Sequence, residues 1–140
     1  METAAKTMIS PPGGYRRIRS RWLDDRFIHV EHNALEAGAI ESGWLSAQWA
    51  FHPVPGTPFV YICNHWHDDH FLNVQEKSLQ CSLIEPAWQS AQWYLERVKG
   101  TRFFRFRNRW LDAWYINCES GSLEAGEIGE HWLSAQWELD

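Results

Sequence analysis

The phrase WLSAQW at Trp44–Trp49 returns as WQSAQW at Trp88–Trp93 and as WLSAQW at Trp132–Trp137, a step of 44 residues each time. Other positions keep the step without a gap: Trp22, Trp66 and Trp110; Asp24, Asp68 and Asp112; Leu35, Leu79 and Leu123; Ile40, Ile84 and Ile128. Gly56 and Gly100 mark the two joins. A chain written three times has to fold as three copies of one supersecondary unit, because a single copy cannot bury its own apolar face.

Within each unit the pattern is short and alternating. Phe27-Ile28-His29-Val30 puts Ile28 and Val30 on opposite sides from their polar or aromatic neighbours, and Ala47, Trp49 and Phe51 share one face. Period-two runs of this length, separated by turn residues such as Asp24-Asp25, Ser42-Gly43 and Ser120-Gly121, predict strands. Four strands per unit give about twelve, with no long helix. A propeller also uses four strands per blade, but three blades fall below the usual range of about 4–8. A β-trefoil, in which three four-stranded units close a six-stranded barrel capped by hairpins, removes the exposed edges instead. The expectation is an all-β, pseudo-threefold β-trefoil: one domain over 15–140, with units at about 15–58, 59–102 and 103–140, preceded by a flexible arm at 1–14. Ile18, Ile28, Val30, Leu35, Trp49 and Phe51, with their counterparts one and two steps on, form the expected core.

Charge limits the partners. Lys and Arg total 13 against 18 Asp and Glu, a net charge of −5, which lacks the basic footprint of a nucleic-acid binder. Arg19 and Arg107 look basic locally, but they occur in the units that carry Glu36 and Glu124, while unit two has Cys63 and Gln80 at those places. Charge that comes and goes in pairs predicts ion pairs to Glu36 and Glu124, or to Glu31 and Glu119, rather than a binding patch. No apolar run has membrane-spanning length, so no membrane insertion is expected. Cys63, Cys81 and Cys118 sit at three different repeat positions, which reads as free, mostly buried thiols. With no signal-peptide pattern in the first residues, the expected location is the cytoplasm, export by another route being the alternative.

Nine of the ten tryptophans fall in three repeated sets. Trp49, Trp93 and Trp137 alternate with apolar residues and are expected in the core. Trp22, Trp66 and Trp110 end the first strand, where they would line the barrel mouth or wedge between units. Trp44, Trp88 and Trp132 precede the last strand beside polar turn residues, a place suited equally to packing under the hairpins and to exposure. Trp114 occurs in one unit only.

With its threefold unit and final-strand aromatic, the chain resembles the ricin-B-like β-trefoil lectins from about Tyr15 to Asp140. That family's Gln-x-Trp signature is altered here: Ala47, Ala91 and Ala135 take the Gln place, and the Gln has moved to Gln48, Gln92 and Gln136. The resemblance implies the trefoil fold and carbohydrate binding. It also implies that the second-strand residues His29, Asn73 and Asn117 hold sugar hydroxyls, with Ser46, Ser90 and Ser134 nearby.

A sugar site needs an aromatic wall for the apolar face of the pyranose and short polar side chains that both donate and accept. The candidates are therefore Asp24, His29 and Trp44 in unit one; Asp68, Asn73 and Trp88 in unit two; and Asp112, Asn117 and Trp132 with Trp114 in unit three. Unit three is expected to bind best, since it alone adds Trp114. Structural roles compete at each place: the Asp residues suit turn capping, and the Asn residues suit hydrogen bonds across the hairpin. His65-Trp66-His67-Asp68-Asp69-His70 resembles a metal cluster, but the other units lack it and no metal is expected. No nucleophile motif, phosphate-cradling loop or dinucleotide fingerprint occurs, so neither catalysis nor a cofactor is expected. Up to three weak, related pockets would gain from avidity on a target with several epitopes. The alternative is a protein-interaction trefoil, such as a protease inhibitor or a cytoskeletal-type binder, acting through one unit-specific segment: Val54–Pro58, the His65–His70 stretch or Trp114.

Overall fold

The computed structural model describes residues 12–140; residues 1–11, on which most of the expected arm falls, lie outside the described residues. Unit one holds β1 (Tyr15–Arg16), β2 (Ile18–Ser20), β3 (Phe27–His29), β4 (Glu36–Gly38) and β5 (Trp49–Pro53). Unit two holds β6 (Val60–Asn64), β7 (Phe71–Asn73), β8 (Gln80–Ser82) and β9 (Trp93–Arg97). Unit three holds β10 (Phe104–Asn108), β11 (Tyr115–Asn117), β12 (Glu124–Gly126) and β13 (Trp137–Leu139). The helical segments among the described residues are three short 3-10 turns, Leu45–Ala47, Gln89–Ala91 and Leu133–Ala135.

The first and last strands of the units make a closed antiparallel ring in the order β1/β2, β5, β6, β9, β10, β13 and back to β2. The β3–β4, β7–β8 and β11–β12 hairpins stand off this ring. This is a β-trefoil. The first strand is interrupted at Arg17, so the described residues form thirteen strands where twelve were expected. Arg17 still exchanges backbone hydrogen bonds with Asp140 (3.1 and 2.9 Å), so the first and last barrel strands close the ring.

The expected core is buried: Ile18, Ile28, Val30, Trp49 and Phe51, together with Ile62, Leu72, Val74, Trp93 and Leu95, and Phe106, Ile116, Cys118 and Trp137. Four expected core residues are only half-buried against it: Leu35, Leu79 and Leu123 in the hairpins, and Leu139, the counterpart of Phe51, in the last strand. Trp49, Trp93 and Trp137 have no exposed surface. Their indole N–H groups donate to the carbonyls of Ile28, Leu72 and Ile116, each at 2.9 Å. Each indole thus satisfies its one polar group and ties a barrel strand to its own unit's hairpin.

The repeated phrase now has a structural meaning residue by residue. Ser46, Ser90 and Ser134 donate to Glu31, Gln75 and Glu119 at 2.5, 2.6 and 2.6 Å, and their carbonyls accept the N–H groups of Val30, Val74 and Cys118. The 3-10 turn is thereby stapled to the hairpin. Ala47, Ala91 and Ala135 are wholly buried. The following Gln reaches into the next unit instead. Arg21 donates to Gln136 at 2.6 Å, Arg109 to Gln92 at 2.7 Å, and His65 Nδ1 lies 3.1 Å from Gln48 Oε1. Each of these cationic or imidazole groups also lies over a ring: Arg21 on Phe103, Arg109 on Phe59, and His65 stacked on Tyr15. Ser20, Asn64 and Asn108, equivalent positions at the strand ends, cap the next turn by accepting the N–H groups two and three residues on.

The expected ion pairs take different partners. Arg19 does not pair with Glu36 or Glu31; it bonds Glu138 at 2.8 Å, and Arg102 bonds the same carboxylate at 2.8 Å. Arg107 lies over the Tyr94 ring, 5.2 Å from its centroid, rather than against Glu124 or Glu119. The reason is register. Arg19 stands opposite Glu138, Arg107 opposite Tyr94, and Cys63 opposite Ala50. The partner belongs to the last strand of the unit that lies alongside in the barrel, so pairing within one repeat pointed to the wrong carboxylate. Glu31 and Glu119 are held by the serines, and Glu36 faces His29 and His32.

Two outcomes are expected. Trp93→Ala removes a fully buried ring and orphans the Leu72 carbonyl, and should lower unfolding free energy by about 3–5 kcal/mol in chemical denaturation. Glu138 is held below the usual carboxylate range by the hydrogen bond from Arg102, reinforced by Arg19 and opposed by partial burial. Its folded pKa lies below its unfolded one, so its stabilisation is present above the ordinary carboxylate pKa of about 4.3 and is lost as pH falls through the lower folded value. Glu138→Gln should therefore be less stable than the parent at pH 7, with the difference shrinking on acidification below about pH 4.

Candidate functional site

His29, Asn73 and Asn117 end the second strand of each unit and point inward, with 1%, 0% and 3% of their surface exposed. Asn73 Nδ2 donates to the Phe71 carbonyl (3.0 Å) and to Ser82 Oγ (2.9 Å), and its Oδ1 accepts the Gln75 N–H (3.1 Å). Asn117 repeats two of these bonds, to the Tyr115 carbonyl and from the Glu119 N–H, but Gly126 stands where unit two has Ser82. His29 Nδ1 accepts the Glu31 N–H at 3.1 Å, which leaves the proton of the neutral ring on Nε2, 3.7 Å from Glu36 Oε1. Burial lowers the His29 pKa, with Glu36 pulling the other way. These three side chains complete the hairpins, and that use takes most of their hydrogen-bonding capacity.

The open surface lies where units meet. Trp22, Trp66 and Trp110 are exposed to nearly the same extent, 43%, 43% and 42%. In each unit the residue before this Trp donates its backbone N–H to the Gln that follows the 3-10 turn: His65 to Gln48, Arg109 to Gln92, Arg21 to Gln136. One backbone arrangement therefore brings the exposed Trp of one unit beside the WxSAQW turn of the unit alongside. Between units one and two, Trp66 and the half-buried Trp44 line a cleft of about 240 Å³ together with Glu31, Gly43, Leu45 and Ser46. Asp68, like Asp24 and Asp112, is exposed in the turn two residues after the exposed Trp.

The clefts are not identical. Trp44 packs edge-on against His29 and His32, with centroids 5.5 and 6.2 Å away. Trp132 folds over Gly129, where a Cβ would overlap its ring; units one and two have Glu41 and Glu85 there. Trp114 is half-buried and packed against the core. Val54–Pro58 forms the same turn as Val98–Arg102: Val54 and Val98 donate to Phe59 and Phe103, and Thr57 and Thr101 donate back to the valines.

His29, His32 and Glu36 are the one group of three metal-type ligands among the described residues, with ligand atoms within 4.8 Å of one another. The hydrogen bond to His29 Nδ1 leaves its Nε2 protonated, so His29 has no free lone pair for an ion, and two ligands remain. His65 and His67 do not converge: His65 stacks on Tyr15, and His67 stacks on Trp66 with centroids 4.4 Å apart.

Sequence reasoning picked Trp44, Trp88 and Trp132 but passed over Trp22, Trp66 and Trp110 and the hairpin acceptors Glu31, Gln75 and Glu119. Their signal was present: a Trp at a strand end before an Asp-rich turn has little to pack against. The internal role of Asn73 gives a direct check. Asn73→Ala should cost about 1–3 kcal/mol of stability, because Ser82 and the Gln75 N–H lose their partner.

No protein-family model matches the sequence, and no curated protein matches it. Solved structures do. A GlcNAcα1-4Gal-releasing endo-β-galactosidase from Clostridium perfringens aligns with a TM-score of 0.79 and 26% identity over 89% of this chain, which spans 31% of that protein. A designed threefold-symmetric protein, ThreeFoil, aligns with a TM-score of 0.74 and 15% identity, covering 89% of this chain and 96% of its own. SeviL, solved bound to the asialo-GM1 saccharide, aligns with a TM-score of 0.76 and 20% identity, covering 92% of this chain and 98% of its own. The chain is a β-trefoil, similar in fold to these proteins.

Proposed function

We propose that this protein is a carbohydrate-binding module that holds glycans in the two-tryptophan clefts between its units and performs no reaction itself. The observation that carries the reading is the Trp44–Trp66 cleft, with the Glu31 carboxylate and Ser46 hydroxyl among its lining groups. Flat indole faces exclude water from the apolar side of a pyranose, and a carboxylate accepts hydrogen bonds from its hydroxyls. The repeat supplies the same residue types at the other two junctions: Trp88 and Trp110 with Gln75 and Ser90, and Trp132 and Trp22 with Glu119 and Ser134. Asp24, Asp68 and Asp112 stand at the outer side as further acceptors, while His29, Asn73 and Asn117 act from behind by fixing the hairpins. Similar trefoils support the reading: SeviL was solved with a saccharide bound, and the clostridial trefoil belongs to a protein that acts on glycans.

Three weak sites set around a threefold axis suit a target that displays several epitopes, where avidity multiplies affinity. The cleft with Glu31 and Glu119 at two junctions and Gln75 at the third predicts unequal sites. The test is a glycan array followed by titration of a hit. Trp66→Ala and Trp44→Ala should each weaken binding at the first junction by about tenfold or more, as expected for loss of an aromatic anchor. Trp66→Ala should cost much less stability than Trp93→Ala, since Trp66 is 43% exposed where Trp93 is fully buried. Array-wide silence, or a hit that ignores substitution at all three exposed tryptophans, overturns the proposal.

A further inference from the structure

A second cavity, of about 490 Å³, lies between the hairpins of units one and two. Val30, Ala34 and Leu35 line it from one hairpin and Leu79 and Cys81 from the other, with His67 and His70 on a third side. The volume is ample for a small ligand: an apolar space of about 150 Å³ admits benzene. The chain itself shows what fits. His67 and His70 correspond to Leu111 and Trp114 in unit three, and there both side chains are half-buried and pack against the core. The supporting turn is the same in both units. His70 N–H donates to His67 O and Trp114 N–H to Leu111 O, while the His70 and Trp114 carbonyls accept from Asn64 and Asn108. Unit three thus seats a leucine and an indole where unit two carries two smaller, polar imidazoles, whose rings lie 5.2 Å apart.

We propose that this cavity binds a planar apolar group of about indole size, carried as the aglycone of a glycoside. Val30, Ala34, Leu35 and Leu79 supply apolar contact, the imidazoles supply ring edges, and Asn33 and Gln80 supply hydrogen-bonding groups. The link to a sugar is geometric and rests on the glycan reading above. His67 borders this cavity, Trp66 borders the two-tryptophan cleft, and their rings stack with centroids 4.4 Å and planes 29° apart, so the two spaces adjoin at this ring pair. Val30 and Glu31, adjacent in the chain, likewise face one space each. An aglycone on a sugar held against Trp66 reaches the cavity around the edge of this stacked pair.

The test uses indole alone as the probe, followed by amide chemical shifts of the isotope-labelled full chain. Saturable shifts at Ala34, Leu35 and Leu79 are expected in the parent. His67→Leu/His70→Trp copies the filling used by unit three; it should keep or raise the melting temperature and weaken indole binding by at least about tenfold. Ala34→Phe is an independent plug with the same expected loss. Absence of shifts in the parent up to the solubility limit, or shifts unchanged in both plugged variants, overturns the proposal. The second arm compares aryl and methyl glycosides of the sugar found on the array. The parent should prefer the aryl form by about tenfold, and Ala34→Phe, which leaves the His67–Trp66 stack intact, should lose that preference while binding the methyl form as before. Indole binding without any glycoside binding would sink the glycan reading and the aglycone assignment but leave the aromatic site standing. Methyl-glycoside binding with no aryl preference and no indole binding would sink the aromatic site alone.

Discussion

The indole N–H to carbonyl bond made by Trp49, Trp93 and Trp137 is the contact on which the rest of the fold depends. Within one unit the first barrel strand meets the hairpin at a single residue pair, Arg19–Phe27, Cys63–Phe71 or Arg107–Tyr115, and the last barrel strand has no ladder with it, so something else must fix that last strand against the hairpin. A large ring buried without exposed surface does this, and its single donor reaches the hairpin strand at the middle residue, Ile28, Leu72 or Ile116. Apolar burial supplies the energy and the hydrogen bond supplies direction. With the hairpin placed, Ser46, Ser90 and Ser134 can reach Glu31, Gln75 and Glu119, and the half-buried Trp before each serine is held at the edge of its cleft.

The fold was legible because its determinants are local and periodic. A step of 44 residues, alternation within each run and turn residues between runs leave few closed architectures. The core residues followed from the same alternation. The site was less legible, because it forms between repeats. Pairing Arg19 with Glu36 treats a unit as self-contained; the barrel puts Glu138 opposite it. Asn73 and Asn117 have the chemistry of sugar ligands, but the same donors and acceptor serve the Phe71 or Tyr115 carbonyl and the N–H two residues on. Short polar side chains at a strand end do both jobs, and only burial separates them. The exposed Trp66 shares its cleft with residues some twenty positions earlier, a separation that no strand-length window connects.

Departures from symmetry carry a different kind of information from the symmetry itself. Arg–Glu, Arg–Tyr and Cys–Ala occupy one barrel position in three chemistries, each a workable pair across the same two strands. Such positions tolerate exchange because both partners change together. The hairpin cavity differs, since two imidazoles line it where unit three carries a leucine and an indole packed against the core. The divergence there changes the shape available to an outside molecule, whereas the barrel pairs only exchange one internal contact for another.

The glutamine that follows each buried alanine has a consequence for how such a chain is assembled. Gln48 meets His65, Gln92 meets Arg109 and Gln136 meets Arg21, so every unit holds its successor and the third holds the first. The contacts form a cycle with no first member. The covalent joins near Gly56 and Gly100 are in this sense interchangeable with the uncovalent meeting of Arg17 and Asp140. A lone 44-residue piece would carry one donor and one acceptor of this cycle with neither matched, and would be complete only as a ring of three separate chains. The single polypeptide reads as such a trimer made continuous, which frees each third of the sequence to drift from its siblings without losing their company.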